Sequence, residues 1–175
     1  MRTCYRPAMT SLFTIGYEGA SLAEFLRRLK AAGVDVLVDV RELPLSRRRG
    51  FSKSQLAQQL ERHGIQYVHR RELGAPKEIR HELRETGDYG TYFERFNAYL
   101  RTQRTALERL VDEYVGAVVL MCFERDPKEC HRSAVARELA KLADVKPVHL
   151  DVEERRGHLS EAQGLRPRQG LPAAE

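Results

Sequence analysis

Apolar residues along this chain fall into short continuous runs that alternate with stretches of helical spacing. The runs are rich in β-branched residues, which is typical of strands that are covered on both faces. Five of them predict strands, at residues 12–15, 34–40, 65–68, 117–121 and 148–150. Between the runs, leucine and phenylalanine recur every three or four residues, which predicts amphipathic helices. The chain therefore alternates between strand and helix.

Polar capping residues and glycines mark the expected helix ends. Serine or threonine followed three residues later by glutamate or glutamine predicts a helix start, and glycine predicts its end. The capping pairs are Ser21–Glu24, Ser52–Gln55 and Thr91–Glu94, and the closing glycines are Gly33, Gly64 and Gly116. A further helix is expected over 133–142. Residues 70–90 have no clear period, which predicts a loop with one helical turn near Lys77–Leu83.

This alternation predicts an α/β fold, a three-layer sandwich with helices on both faces of a mostly parallel sheet. We expect about five strands in the order 3-2-1-4-5, as a Rossmann-like or flavodoxin-like domain. A length of 175 residues suits one domain, which we place at residues 10–152. Residues 1–9 are expected to form a flexible extension. Residues 153–175, rich in Gly, Pro, Arg and Glu, are expected to form a flexible tail.

The composition predicts a cytoplasmic protein. No apolar run approaches the roughly 18 residues that a membrane span requires, and the N-terminus has no continuous apolar signal region. Only three cysteines occur, at positions 4, 122 and 130, which fits reduced thiols better than a disulfide framework.

Positive charge is concentrated in one segment. The chain carries a net charge of +5, and residues 41–84 alone hold eleven Lys or Arg and five Glu. Such a segment attracts anions, so an anionic small molecule that bears phosphate and nucleic acid are both candidate partners. A solvated surface of helices and loops is the alternative.

The carboxyl ends of parallel strands meet at one edge of the sheet, where ligands bind. The loops leaving that edge bring candidate ligand-binding residues, and arginine there suits phosphate or carboxylate. These candidates are Tyr17, Glu18, Arg41, Ser46, Arg47, Glu124 and Arg132. The alternative is that Asp39 and Arg41 pair with charges on neighbouring loops and only stiffen those loops.

Cys122, His131 and His69 are the candidate catalytic residues at this edge. A histidine at a strand or helix end can act as an acid or a base. Cys122 becomes a nucleophile if nearby arginine and helix N–H groups lower its pKa; otherwise it is a small buried apolar residue.

Zinc on Cys122, Cys130 and His131, with Glu124 nearby, is the alternative to a site without metal. The spacing completes no familiar ligand set, and adjacent Cys130 and His131 would diverge if both were helical. We therefore predict no metal and no cofactor.

Four ordered blocks of residues resemble the DUF488 family. They are Thr14–Gly19, then Asp39–Arg41 with Pro44, Ser46–Arg47 and Gly50–Phe51, then Gly64–Ile65 with Tyr67, His69 and Leu73–Gly74, then Cys122 with Glu124 and Cys130–Arg132. The resemblance covers residues 11–150, and Ala75 stands where relatives often carry a second glycine. Because the family is a domain of unknown function, the resemblance implies a site but no reaction.

A partial likeness to rhodanese-type domains lies in Asp39–Glu42 and in Arg132–Ser133. The offset of ten residues from Cys122 to Arg132 is longer than rhodanese loops use. Neither Cys122 nor Cys130 is followed by arginine six positions later, as tyrosine-phosphatase loops require.

The leading hypothesis is an enzyme, a hydrolase or a transferase, that acts on a phosphate-bearing ligand such as a nucleotide or a nucleic-acid end. One alternative is a non-catalytic nucleic-acid-binding module that uses the basic segment 41–84. A small-ligand sensor with the same cleft is a further alternative.

Overall fold

A computed structural model describes residues 9–152 of the chain. Five strands are present in this part: β1 (Met9–Gly16), β2 (Val36–Asp39), β3 (Gln66–His69), β4 (Gly116–Cys122) and β5 (Pro147–Leu150). The helices are α1 (Leu22–Ala31), α2 (Lys53–Arg62), α3 (Lys77–Thr86), α4 (Tyr89–Thr102), α5 (Arg104–Glu113) and α6 (Arg132–Ala143). Short 3-10 turns lie at Arg71–Leu73 and Pro127–Glu129.

All five strands are parallel and form one sheet in the order β3-β2-β4-β1-β5. The predicted α/β class and the five-stranded parallel sheet are confirmed. The predicted order 3-2-1-4-5 is wrong, because β4 lies between β2 and β1. Val118 of β4 pairs with Val36 on one side and with Leu12 on the other.

Helices cover both faces of the sheet and complete the predicted three layers. Alternate residues of β4 point to opposite faces, as the pleat requires. Val118 packs with the side chains of α3 to α6, whereas Val119 packs with those of α1 and α2. Each face therefore has its own hydrophobic core.

The segment between β3 and β4 differs most from the sequence prediction. Within the expected loop at residues 70–90, the single helical turn predicted near Lys77–Leu83 is a ten-residue helix, α3, which is followed by its C-cap Gly87. Asp88 is the N-cap of helix α4: its carboxylate accepts the backbone N–H of Thr91 at 3.1 Å, so Thr91 is not the cap. The predicted long helix is interrupted at Gln103, where α5 begins. The apolar face continues across this break, so its periodicity could not show it.

Two predicted caps have different outcomes. The capping box of Ser21 and Glu24 is present at α1. Ser52 precedes α2 but caps no helical N–H; its hydroxyl donates to the carbonyl of Ser46 at 3.1 Å. That contact holds the loop between β2 and α2 against the start of α2.

The ends of the described region bear on the predicted domain bounds. Met9, which we assigned to the extension, is a buried residue of β1. The rest of the expected extension and the tail, residues 1–8 and 153–175, lie outside the described residues. Among the described helices the longest has 14 residues, and none is long and apolar enough to cross a membrane.

Candidate functional site

A cleft of about 610 Å³ opens at the carboxyl ends of β1, β2 and β4. Of the residues predicted to form the site, it brings together Tyr17, Arg41, Ser46, Arg47, Cys122, Glu124 and His131. The rest of its wall consists of Glu42, Leu43, Leu45, Arg48, Ala75, Arg80, Arg84 and Phe123. The cleft therefore lies at the sheet edge where the topology predicts ligand binding.

Sulfur, nitrogen and carboxylate ligands meet at the floor of the cleft. The Cys122 thiol donates to a carboxylate oxygen of Glu124 at 3.1 Å, and its sulfur lies 3.9 Å from Nδ1 of His131. Cys130 stands within hydrogen-bonding reach of Cys122, Glu124 and His131. One ligand atom from each of the four residues lies within 4.8 Å of every other. We call this group the floor cluster.

The backbone before α6 allows the adjacent residues Cys130 and His131 to converge. Cys130 is extended, with φ −125° and ψ 134°, and the helix begins only at Arg132. Our objection that the two side chains would diverge assumed that both were helical, and that assumption is wrong.

Burial and mutual contacts set the protonation of the floor cluster. Contact with the Cys130 thiol lowers the pKa of Cys122, but burial and the nearby Glu124 carboxylate outweigh it and raise that pKa. Burial raises the pKa of Cys130 well above its usual value. In the absence of a bound cation, both thiols therefore keep their protons. The condition under which Cys122 would be a nucleophile, a pKa lowered by arginine and helix N–H groups, is therefore not met, and Cys122 is the small buried residue of the alternative.

The surroundings stabilise the charged forms of the other two members of the floor cluster, Glu124 and His131. Burial raises the pKa of Glu124. Hydrogen bonds from Cys130 and Cys122 and the nearby His131 lower this pKa by a larger amount, so the net pKa is below the usual value. Burial lowers the pKa of His131, and the contacts with Cys130 and Glu124 reverse this and raise it. The floor cluster thus favours a carboxylate beside an imidazolium.

Arg132 holds the loop that carries the floor cluster and does not line the cleft. Its side chain is 1% exposed. It donates to the backbone carbonyls of Glu124 and Arg125, and more weakly to the hydroxyl of Thr14 at 3.4 Å. The residue that we expected to hold an anion therefore holds the backbone of the 123–131 loop.

Gly16 lets the same loop approach strand β1. A Cβ atom at this position would lie 1.9 Å from the carbonyl oxygen of Glu124. No side chain fits there without moving the loop. The glycine of the first sequence block is thus explained by close backbone packing under the floor cluster.

A buried network fixes Tyr17 and Arg41 at the side of the cleft. Both oxygens of the Asp39 carboxylate accept from the Arg41 guanidinium, at 2.8 and 2.6 Å. Arg41 also donates to the hydroxyl of Tyr17 at 2.9 Å, and Tyr67 donates to Asp39 at 2.7 Å. Burial lowers the pKa of Arg41, but Asp39 and Tyr17 outweigh it and raise that pKa above the ordinary value. Arg41 is therefore paired, but with Asp39 two residues away and not with a charge on a neighbouring loop, and it reaches the cleft already neutralised.

Two other predicted residues lie outside the cleft wall. Nε2 of His69 donates to the carbonyl of Arg41 at 2.9 Å, so this ring supports the arginine from behind. The Glu18 carboxylate accepts the backbone N–H of Arg125 at 3.0 Å. Both residues position loops, and neither faces the space where a ligand would lie.

Sequence reasoning missed a basic wall contributed by helix α3. Arg80 and Arg84 face the cleft from α3. Arg80 pairs with Glu42 and donates to the carbonyl of Ala75 at 2.9 Å. The i, i+4 spacing of the two arginines was a usable signal, but only a helix at 77–86 places them on one face.

Aromatic and aliphatic side chains form the remaining wall. Tyr17 stacks on Phe51 with ring centres 4.4 Å apart, and Phe123 meets Tyr17 edge-on at 5.3 Å. Phe123, Leu43 and Leu45 are exposed to solvent by 41%, 54% and 72%. Apolar surface is thus concentrated beside the arginines of the same cleft.

Fold and site together define a parallel α/β domain with a strand-end cleft, built over a buried Cys, Glu, Cys and His cluster. The model of the family described as domain of unknown function DUF488 matches residues 21–139, and the chain belongs to this family. No curated protein and no solved structure matches the chain. The partial likeness to rhodanese-type domains is not supported by these comparisons.

Proposed function

We propose that the protein is an enzyme, a hydrolase or a transferase, that acts on a small phosphate-bearing ligand in this cleft. The proposal depends on one observation: proton-carrying side chains of the floor cluster face a cleft whose wall holds five arginines and only two glutamates. An excess of positive charge attracts an anion, and the floor cluster stands beside the place where it would lie.

Among the five arginines, Arg47 and Arg84 are the best candidates for direct contact with phosphate. Arg41 and Arg80 are neutralised by Asp39 and Glu42. Arg47 and Arg84 are exposed, and neither has an ion-pair partner among residues 9–152. A guanidinium that is not yet paired can form the bidentate bonds that phosphate oxygens accept.

The apolar part of the wall favours a ligand with an aromatic or otherwise apolar group beside the phosphate. Phe123 exposes 41% of its surface, and Leu43 and Leu45 expose more. A nucleobase stacked on Phe123 would cover this surface while its phosphate contacts the arginines. A nucleotide or a nucleic-acid end has both features.

Binding is tested first with AMP, ATP, pyrophosphate and inorganic phosphate by isothermal titration calorimetry. Loss of a charge-assisted hydrogen bond costs about 1.5–3 kcal/mol, so Arg84→Ala and Arg47→Ala should each weaken binding by roughly 10- to 150-fold. Arg109→Ala, an exposed arginine of α5 outside the cleft, is the matched control and should bind as wild type. Absence of binding, or equal binding by all three variants, would contradict the proposed anion site.

Turnover is tested by following the same phosphate compounds by phosphorus NMR. We expect Cys122→Ser and His131→Gln to retain binding within a few-fold and to lose turnover, because these side chains face the ligand from the floor. Binding without turnover in the wild type would refute the enzyme and favour the sensor. Sequence-independent oligonucleotide binding with a steep salt dependence, unaffected by Cys122→Ser, would favour the nucleic-acid-binding module.

A further inference from the structure

We propose that the floor cluster, Cys122, Glu124, Cys130 and His131, is a binding site for one zinc-class divalent cation. Two sulfurs, one imidazole nitrogen and one carboxylate oxygen are a donor set that Zn²⁺ accepts in proteins. The inference concerns the floor of the cleft, and it does not depend on the proposed phosphate chemistry.

The separations in the cluster suit a tetrahedral ion. Bond lengths of about 2.0–2.3 Å to zinc imply separations of roughly 3.3–3.8 Å between ligand atoms. The Cys122 sulfur lies 3.1 Å from Glu124 and 3.9 Å from His131, and no pair in the cluster exceeds 4.8 Å. Closing around an ion would therefore require changes of roughly 1.5 Å or less in the separation of any pair.

The imidazole of His131 is oriented as a metal ligand usually is. Nε2 of His131 lies 2.8 Å from the carbonyl oxygen of Val40, and because a carbonyl can only accept, Nε2 carries the hydrogen. In the neutral ring that binds a metal, Nδ1 then carries the free lone pair; the Cys122 sulfur lies 3.9 Å from Nδ1 and 4.0 Å from Nε2. A histidine that binds metal commonly donates its second N–H to a backbone carbonyl in this way, which fixes its tautomer and ring orientation.

The loop that carries the ligands is held in place independently of them. Arg132 binds two of its carbonyls, and the Ser133 hydroxyl donates to the carbonyl of Cys130 at 2.8 Å. Asp126 caps the turn between the two cysteines by accepting the N–H of Lys128 at 2.8 Å. Because the loop is already held in place, it would lose less conformational entropy when a metal binds.

Charge balance also favours a dication. With both thiols deprotonated, the two thiolates and the Glu124 carboxylate carry three negative charges, and a dication leaves one. The buried guanidinium of Arg132 supplies the compensating positive charge through the backbone of the same loop. Binding would thus release the two thiol protons and the Nδ1 proton of the His131 imidazolium, and leave the buried site close to neutral.

Cys130 is fully buried, while Cys122, Glu124 and His131 line the cleft. A bound ion would therefore be held from behind by Cys130 and would face the cleft. Four protein ligands would fill a tetrahedral coordination shell, as in structural zinc sites, so we infer an ion that borders the cleft and has no vacant coordination position.

The test is the metal content of full-length protein purified under reducing conditions without chelator, with no phosphate compound present. We expect about one equivalent of zinc per chain, and about one equivalent of Co²⁺ after chelation and reloading. Cobalt should show a sulfur-to-metal charge-transfer band, because that band requires thiolate ligands. Cys130→Ser and Cys122→Ser should lower the metal content at least tenfold. Cys4→Ser, which removes the remaining thiol, should leave it unchanged.

Each remaining outcome is decisive. The cobalt band of the wild-type protein is informative even if Cys130→Ser does not fold, and the half-buried Glu124→Gln should shift the band while keeping the circular-dichroism spectrum. Failure of the reduced wild-type protein to bind zinc or cobalt would overturn the site. The site would also be overturned if the protein contained a Cys122–Cys130 disulfide and bound no metal after that disulfide was reduced. The two cysteines would then be a redox-active pair. Arg84→Ala should keep its zinc, so a failure of phosphate binding is distinguishable from a failure of this site.

Discussion

Replacement of Asp39 by Asn should strongly destabilise the protein, because the Asp39 carboxylate compensates the buried charge of Arg41. Asp39 is fully buried and Arg41 is 6% exposed. Asp39 accepts three hydrogen bonds from Arg41, one from the backbone and two from the guanidinium, and a fourth from Tyr67. The substitution leaves the guanidinium buried without its partner, at a cost of about 3–5 kcal/mol.

The cost is measured by urea unfolding, followed by circular dichroism, with the free energy extrapolated at constant slope. In a domain of this size it corresponds to a fall in Tm of about 6–20 °C. Glu108→Gln is the matched control: it removes the partner of Arg104 in an exposed ion pair of 2.8 Å, which should cost less than about 1 kcal/mol.

A double substitution separates loss of the pair from loss of packing. Arg41→Met added to Asp39→Asn removes the uncompensated charge, so the double variant should be more stable than Asp39→Asn alone. If the losses in free energy of unfolding caused by the two substitutions are instead additive, or if Asp39→Asn costs less than about 1 kcal/mol, then Arg41 is not held by Asp39 as described.

Three further predictions follow from single contacts. Gly16→Ala should cost about 1–3 kcal/mol in urea unfolding and weaken anion binding, because its Cβ would overlap the Glu124 carbonyl at 1.9 Å. His149 should titrate below 6.5 by NMR, since burial and the charge of Arg132 lower its pKa. Its neutral form therefore stabilises the fold above pH 6.5, and this stabilisation is lost as the pH falls toward the folded-state pKa. Leu37→Ala, in the fully buried middle of β2, should cost about 2–5 kcal/mol.

Each of these has its own control and its own contrary outcome. Gly90→Ala, inside helix α4, should cost less than Gly16→Ala, because its Cβ would lie 3.1 Å from a side-chain oxygen of Asp88 and not against backbone, and equal losses for both glycine variants would contradict the close approach at Gly16. His149→Gln should remove part of the dependence of stability on pH below 6.5, and an unchanged difference curve would contradict the pKa shift. Val148→Ala, on the exposed side of β5, should cost far less than Leu37→Ala.

The predicted position of the site rests on local signals and is reproduced in part by the structure. Parallel strands place their carboxyl ends together, so Tyr17, Arg41 and Cys122 could be expected at one edge from the strand pattern alone. Arg80 and Arg84 could not, because the segment before α4 has only two apolar residues at helical spacing, Ile79 and Leu83, which are too few to reveal the helix. Both residues pack against the core in α3.

Charge in a sequence does not tell whether an arginine is free. Arg41, Arg47 and Arg132 are the same residue type, and all three were expected to bind an anion. In the folded chain Arg41 is paired with Asp39, and Arg132 donates its hydrogen bonds to backbone carbonyls. Of the three, only Arg47 is exposed. The difference arises from burial, which depends on contacts between residues far apart in the chain.

The strand segments, most of the helices, the layered α/β class and the family could all be predicted from the amino-acid sequence. These depend on local periodicity and short motifs, which are present in the chain before it folds. The tertiary structure alone decided that β4 lies between β2 and β1, because every buried parallel strand has the same apolar pattern. It alone also brought Cys130 and His131 together with Cys122 and Glu124, since that meeting depends on the path of the loop held by Arg132.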